Sequence, residues 1–338
     1  MITLKEIADL AGVSRGTVDR VLKKRAGVSQ TVVERVNAII HHYGYTPNRA
    51  AQALVHRKKE YRIGVISSST QNPFFKDVMQ GIESAKKEIQ GLGVSLCYRE
   101  VPKFDPDAQL EALEATMAEN IDGLAIRPIN DEKIRKKLQD VGTRIPMITF
   151  NTELDGVNEL AHVGSDFRKT GKIAAGLMAG LCGEEARIVV ALGTRKSYGP
   201  SMMADEFGKE LAAYPGMSVA TTIEMLNDEI LSYSKISEYL RSDRAVTAFF
   251  FASGSKEGGI RAIQEAALPH RVTIITLNID PFTRACLESG VVAATICDQP
   301  FIQGYEPVRQ LANHVLYGEV PTERFQYTNP EILVRQCL

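Results

Sequence analysis

The hydrophobic pattern changes character once along the chain. Up to Gly44, apolar positions recur at helical spacing: Leu4, Ile7, Ala8 and Ala11, then Val18, Val21 and Leu22, then Val32, Val33, Val36, Ile39, Ile40 and Tyr43. Three short helices are predicted. Thr3 and Glu6 have capping-box spacing for the first. Gly12 supplies the left-handed residue that ends it, and Val13 plugs the turn. Ser14 caps a second helix over 15–22, and Ser29 a third that Gly44 closes. From Ile63 onward, short β-branched or aromatic runs take over: IGVIS, VSLCYREV, GLAIRP, PMITFN, RIVVALG, SVATTIEM, TAFFFAS, VTIITLN and AATICDQ. Between them lie predicted helices over 72–92, 107–120, 131–140, 167–182, 202–213, 229–241, 257–267, 281–289 and 301–317. Such alternation signals parallel sheets covered by helices. The strands exceed what one sheet of ordinary width holds, so two similar lobes with a cleft between them are expected.

Composition narrows the class. A chain of 338 residues, 44% apolar and 24% charged, suits a soluble protein of two or three units. No apolar run approaches the roughly 18–20 residues of a membrane span. The segment MITLKEIADLAG has no apolar signal core, so a cytoplasmic protein is expected. Cys97, Cys182, Cys286, Cys297 and Cys337 form no C-x-x-C pair and read as free thiols of a reducing compartment. Residues 1–62 hold twelve Lys/Arg against five Asp/Glu, a balance of +7; the remainder holds 28 against 36, a balance of −8. A basic head on an acidic body points to a polyanionic partner for the head, although a charge run is also a common solvated face.

Signatures of catalysis are missing. No phosphate-binding G-x-x-x-x-G-K-[ST], no G-x-G-x-x-G after a strand and no H-E-x-x-H occurs, and ASGSKEGG lacks the glycine spacing of a nucleophile elbow. His41 and His42 have no companion ligands, so neither enzyme activity, metal nor cofactor is expected.

Helix, glycine turn and second helix form a helix-turn-helix pattern, in which the second helix enters the DNA major groove. Small protein-binding bundles share that outline. The stretch TLKEIADLAGVSRGTVDRVL, then GVS, then VVERVNAIIHHYGYTPNRAAQALVHRK, goes further: over residues 2–58 it resembles the headpiece of the LacI/GalR repressor family, with AGVS, TV-x-RVL, GVS and Y-x-PN in place. The resemblance implies a DNA-binding headpiece over 1–46 and a hinge helix and linker over 47–61. Arg15 and Gly16 fall where the family varies its base-reading residues, next to Ser14. Arg20 falls where it places an arginine that reaches bases, suited to guanine O6 and N7. Thr17, Ser29 and Asn48 match phosphate-touching positions. Asp19 departs from the family's usual serine, and either accepts from cytosine N4 or repels phosphate. The hinge helix would start at Pro47 and carry Arg49, Ala53 and Leu54. Leu54 stands at the family's wedge leucine, which kinks the duplex from the minor groove; the alternative is packing on the headpiece.

The remainder, 62–338, resembles the two-lobed, type I periplasmic sugar-binding fold, through IGVIS with QNPFF, IPMITFN, VGSDFRKTGKIAA and GVVAATICDQPFIQG. The expected fold class is thus an all-α helix-turn-helix headpiece followed by a two-lobed α/β domain with parallel sheets. Lobe 1 is expected at 62–151 and 292–322, lobe 2 at 164–280 and 328–338, with crossings near 151–164, 279–293 and 321–330. Ligands of open α/β lobes sit beyond the carboxyl ends of strands, which nominates Asn72, Phe74, Phe75, Arg127, Asn151, Ser253, Asn278 and Asp298; Met203 joins these ligand-binding candidates through the resemblance. Phe75 reads equally as lobe core, Asn72 as a helix cap and Arg127 as a surface residue. Ribose-type proteins carry Asp-Arg where this chain has Asn151-Thr152, arginine at Met203, and Asp at Asn278, so a simple aldose fits poorly. Arg127, Arg195 and Lys196 offer charge for a carboxylate or phosphate, or merely solvated loops. The expected function is a regulator, a repressor that binds palindromic double-stranded DNA as a homodimer and responds to a small sugar, sugar derivative or polyol. The alternatives are a solute-binding protein for sugar uptake and an α/β enzyme with an accessory DNA domain.

Overall fold

A computed structural model describes residues 2–22, 26–44, 60–68, 73–102 and 105–338. The first unit has α1 (Leu4–Ala11), α2 (Arg15–Leu22) and α3 (Gln30–Tyr43). Thr3 and Glu6 make both halves of the capping box, and Gly12 takes the left-handed conformation (φ 62°) that turns the chain toward α2. Ser14 Oγ accepts from the Thr17 amide at 3.1 Å, and Gly44 closes α3 in the same left-handed state as Gly12. Ile7, Ala8, Ala11, Val18, Val21 and Val36 form the core of this unit. Two expectations differ. Ser29 precedes α3 without a side-chain cap bond, and Tyr43, expected inward, is exposed.

The rest folds as two sheets. The first has order β11-β5-β4-β3-β1-β2 and is parallel throughout. Its strands are β1 (Tyr61–Ser68), β2 (Val94–Val101), β3 (Gly123–Ile126), β4 (Met147–Asn151), β5 (Ala161–Ser165) and β11 (Phe325–Thr328). On one face lie α4 (Pro73–Gln90) and α12 (Pro300–Tyr317), on the other α5 (Pro106–Met117) and α6 (Glu132–Arg144). The second sheet, β12-β10-β9-β8-β6-β7, is parallel except where β12 runs against β10. It comprises β6 (Ala186–Leu192), β7 (Met217–Glu224), β8 (Ala248–Ala252), β9 (Thr273–Leu277), β10 (Ala294–Cys297) and β12 (Glu331–Leu333). Helices α7 (Phe167–Cys182), α8 (Tyr198–Leu211), α9 (Glu229–Ser242), α10 (Glu257–Glu265) and α11 (Pro281–Ser289) cover it. Central strands are apolar on both faces, as double coverage requires: Phe249, Phe250 and Phe251 of β8 are all fully buried.

Lobe boundaries move from their expected places. The segment AHVGS, expected in the first crossing, is β5, paired between β4 and β11, so the chain changes lobe between Ser165 and Phe167. His162 and Gly164 interrupt its apolar run and hid the strand. The segment ATIC, assigned to lobe 1, pairs with β9 and β12 in lobe 2, so the second crossing follows Cys297. The third lies between Thr328 and Glu331.

Helices α4 and α12 cross at glycines. A Cβ on Gly81 would lie 2.1 Å from the Phe301 carbonyl oxygen, and one on Gly304 2.0 Å from that of Val78. The absent side chains let the two backbones touch and fix α12 against the sheet.

Candidate functional site

The sheet order places a topological reversal between β1 and β3 in lobe 1 and between β6 and β8 in lobe 2. Crevices open at the carboxyl ends of strands at such reversals. The sequence-derived candidates gather at those ends: Phe74 and Phe75 after β1, Arg127 after β3, Asn151 ending β4, Ser253 after β8, Asn278 after β9 and Asp298 after β10. Asn72, and on the DNA side Asn48, Arg49, Ala53 and Leu54, lie outside the described residues.

Arg127 is buried rather than solvated, at 6% exposure. Its Nε donates to Asn151 Oδ1 at 2.9 Å, and its guanidinium lies 4.7 Å from the centre of the Phe75 ring. Phe75 meets Phe74 edge to face at 5.2 Å and is half-buried, so the pair both lines lobe 1 and supports the cation. Burial lowers the guanidinium to about 10, still charged at neutral pH. Gln109, itself buried, braces the strand end: its Nε2 donates to the Arg127 carbonyl at 2.9 Å and its Oε1 accepts from the Ile129 amide at 2.8 Å. Asn151 takes a left-handed φ of 60°, which asparagine tolerates better than most side chains. Its Nδ2 donates to Gln303 Oε1 at 3.0 Å.

On the lobe 2 side, Asp298 is 3% exposed; burial raises its carboxyl to about 6, against the pull of hydroxyls from Thr170 and Ser165. The Asp298 amide donates to Asn278 Oδ1 at 3.0 Å, and Asn278 again has positive φ, 55°. Ser253 Oγ reaches Asn227 Oδ1 and Ser255 Oγ, both at 3.2 Å. Lys256 Nζ donates to the carbonyls of Leu277 and Asn278 at 2.7 and 3.2 Å and pairs with Asp280 at 3.1 Å. Burial pulls its ammonium below the usual lysine range, against the attraction of Asp280. Met203, expected in the ligand site, is set apart from these groups: it is buried in the lobe 2 core with Phe207 and Phe250. Arg195 turns to Asp205 and Thr222, while Lys196 is exposed.

Sequence reasoning missed Gln303, Gln109, Ser165, Thr170 and Lys256. It also missed a lobe-to-lobe cluster in which Glu153, after β4, accepts from Tyr198 of α8 at 3.1 Å and from Tyr327 of β11, with Arg168 of α7 at 3.7 Å. One signal was available for Gln303. It falls on the buried stripe of α12 with Pro307, Val308 and Leu311, and a polar residue on such a stripe needs partners.

In the first unit, Ser14, Arg15, Gly16, Arg20 and Ser29 are exposed, and Thr17 and Asp19 are half-buried. Thr17 Oγ1 lies 3.0 Å from Ser14 Oγ. Helix α2 therefore packs through Val18 and Val21 and turns two arginines to solvent. Among the described residues, no group of three His, Cys, Asp or Glu is placed to hold a metal ion, and no helix is long and apolar enough to cross a membrane.

Comparison with known proteins adds an independent line. The profile of the periplasmic binding protein domain matches residues 63–319, and that of the bacterial regulatory proteins, lacI family, matches residues 3–48. The HTH-type transcriptional regulator PtxS of Pseudomonas plecoglossicida is 30% identical over 154 residues, 45% of this chain and 43% of that one. The ribose operon repressor of Escherichia coli strain K12 is 28% identical over 161 residues, 47% of each chain. The matched stretch spans less than half the length of these curated relatives. Among solved structures, an ABC transporter solute-binding protein from Agrobacterium vitis, bound with alpha-D-tagatopyranose, aligns with TM-score 0.73 at 23% identity, covering 82% of this chain and 95% of that one. GanP, a glucose-galactose binding protein from Geobacillus stearothermophilus, aligns with TM-score 0.75 at 20% identity, covering 83% and 99%. At such identities these structures speak for the fold alone.

Proposed function

Because the chain belongs to the periplasmic binding protein domain family and carries a lacI-family segment at its amino-terminal end, we propose that it is a sequence-specific DNA-binding transcriptional regulator, a repressor whose operator affinity is set by a small polar metabolite held between its lobes. The observation that carries this reading is α2: a capped helix after a glycine turn, anchored by Val18 and Val21, with Arg15 and Arg20 exposed, in the same chain as a two-lobed clamp. Arg20 and Arg15 would read base edges. Ser14, Thr17, Ser29 and Asn48 would fix register on phosphates. Arg49, Ala53 and Leu54 would enter the minor groove as a hinge helix. The curated relatives named above as a regulator and a repressor support the reading.

The proposed units are a headpiece over 1–46, a hinge and linker over 47–61 and a two-lobed domain from 62 onward. Two copies would pair, so that a palindromic operator matches the two-fold axis. The metabolite would be a sugar, sugar derivative or polyol: Phe74 and Phe75 would face its C–H surface, and Asn151, Asn278, Ser253 and Asp298 would bind its hydroxyls. Arg127 favours ligands that carry a carboxylate or phosphate. The metabolite acts only through a difference in affinity between two lobe arrangements. The chain has no catalytic, metal or cofactor role in this scheme and works beside DNA in the cytoplasm.

The test is selection of duplexes from a random pool, followed by anisotropy titration with sugars, sugar acids, polyols and their phosphates. Arg20→Ala and Leu54→Ala are expected to weaken the selected duplex by about fivefold or more and to leave metabolite binding unchanged. A chain that retained no duplex at modest salt, with or without these metabolites, would sink the proposal.

A further inference from the structure

We infer that Gln303 is a positioning residue, one amide that ties two lobe crossings directly, and the third through a shared carbonyl, to the Arg127–Asn151 pair of the cleft. The inference rests on the reading of that pair as part of the metabolite site, and it names what connects the site to the hinge. Gln303 is fully buried in the first turn of α12, just beyond the second crossing. Its Oε1 accepts from Asn151 Nδ2 at 3.0 Å. Its Nε2 donates to Ser165 Oγ at 2.8 Å and to the Asp298 carbonyl at 2.7 Å. Both hydrogens of the amide and its oxygen are thus engaged. The Asp298 carbonyl also accepts from Thr328 Oγ1 at 2.9 Å. Ser165 ends the strand before the first crossing, Asp298 lies in the second, and Thr328 ends the strand before the third. Two crossings thus bond the Gln303 amide directly, and the third joins them through the Asp298 carbonyl that Gln303 and Thr328 share.

The polarity of that amide has a consequence inside the cleft. Because Nε2 is committed to the crossings, Oε1 faces Asn151 and requires its Nδ2 there. Asn151 Oδ1 is then the atom left for Arg127 Nε, as observed at 2.9 Å. A flipped Asn151 would set its Oδ1 against Gln303 Oε1, two acceptors, and its Nδ2 against Arg127 Nε, two donors. The orientation of Arg127 is therefore fixed from the hinge through two amides. Conversely, any group that rearranges the Arg127–Asn151 pair disturbs a bond that the crossings share. Packing alone does not call for this: Pro307, Val308 and Leu311 bury α12 on the same stripe, and an apolar residue at position 303 would serve that purpose.

The test needs neither metabolite nor operator. In the full chain labelled with ¹⁵N-arginine, hydrogen exchange at Arg127 Nε is followed by NMR in the unaltered protein, in Gln303→Met and in Ser165→Ala. Gln303→Met is expected to speed Arg127 exchange at least tenfold. Ser165→Ala removes one hydroxyl that touches neither Arg127 nor Asn151, and is expected to speed it two- to fivefold through the loosened Gln303 amide. Exchange unchanged in both variants, with cooperative unfolding retained, overturns the inference and leaves Gln303 a local filler. If Gln303→Met fails to fold, Ser165→Ala decides alone: accelerated exchange supports the relay and unchanged exchange overturns it. Failure of the duplex and metabolite titrations would refute the proposed function without altering this result, so the two can fail separately.

Discussion

The Lys256 ammonium meets the Asp280 carboxylate at 3.1 Å with side-chain exposures of only 3% and 14%. The same ammonium holds the carbonyls that end β9. Removing one member of a buried pair leaves the other charged and poorly hydrated, which costs about 3–5 kcal/mol. Lys256→Met is therefore expected to lower the urea midpoint sharply and to release the left-handed turn at Asn278. A loss below about 1 kcal/mol, the range of an exposed pair, would mean that water reaches Asp280 freely.

Two glycines in helices should respond in opposite ways. At Gly304 an added methyl meets the Val78 carbonyl oxygen at 2.0 Å, so Gly304→Ala must push α4 and α12 apart. The expected loss is about 1–3 kcal/mol or more. At Gly180, on the exposed side of α7, an added Cβ meets nothing within 4 Å. Gly180→Ala should gain about 0.5–1 kcal/mol from helix propensity alone. Equal effects in denaturation curves would contradict the close crossing.

Two buried groups give stability opposite pH slopes. His162 is 1% exposed, its Nδ1 lies 3.0 Å from Thr149 Oγ1, and its Nε2 has no hydrogen-bond partner among the described residues. Burial lowers it to about 4. Its folded pKa lies below the unfolded one, so its contribution is present above about 6.5 and is lost as pH falls through 4, about 3 kcal/mol at most. Asp298 is raised to about 6 by burial, so its contribution is present below the unfolded value near 4 and is lost as pH rises through 6. Relative to the unaltered chain, His162→Gln should gain stability on acidification from pH 6.5 to 4. Asp298→Asn should gain on the rise from 4 to 6. Unfolding curves whose differences stay constant with pH would refute both assignments.

On α2, the acid at Asp19 and the base at Arg20 should separate repulsion from readout. Arg20→Ala is expected to cost about 1–3 kcal/mol on the selected duplex and to relax choice at one base pair. Asp19→Ser, which removes a negative charge from the helix, should strengthen binding to every duplex and steepen the salt dependence. If Asp19→Ser instead weakened only the selected duplex, the carboxylate would be reading a cytosine.

Local chemistry determined what lies within one element. The capping box at Thr3 and Glu6, the left-handed Gly12, and helices 167–182 and 281–289 follow from neighbours a few residues apart, so the sequence stated them with their ends. It also brought Phe75, Arg127, Asn151 and Asn278 to strand ends, because strand ends are readable from where apolar runs stop. Only tertiary structure decided what those ends meet. β5 is a strand because β4 and β11 flank it, although His162 and Gly164 read as a break. Met203 became core and Arg127 became buried because of neighbours far away in the chain. Gln303 was invisible as a junction because Asn151 is 152 residues away and Ser165 is 138 away. Hydrogen bonds of that span are set by how two sheets and three crossings close, and no local pattern encodes the closure.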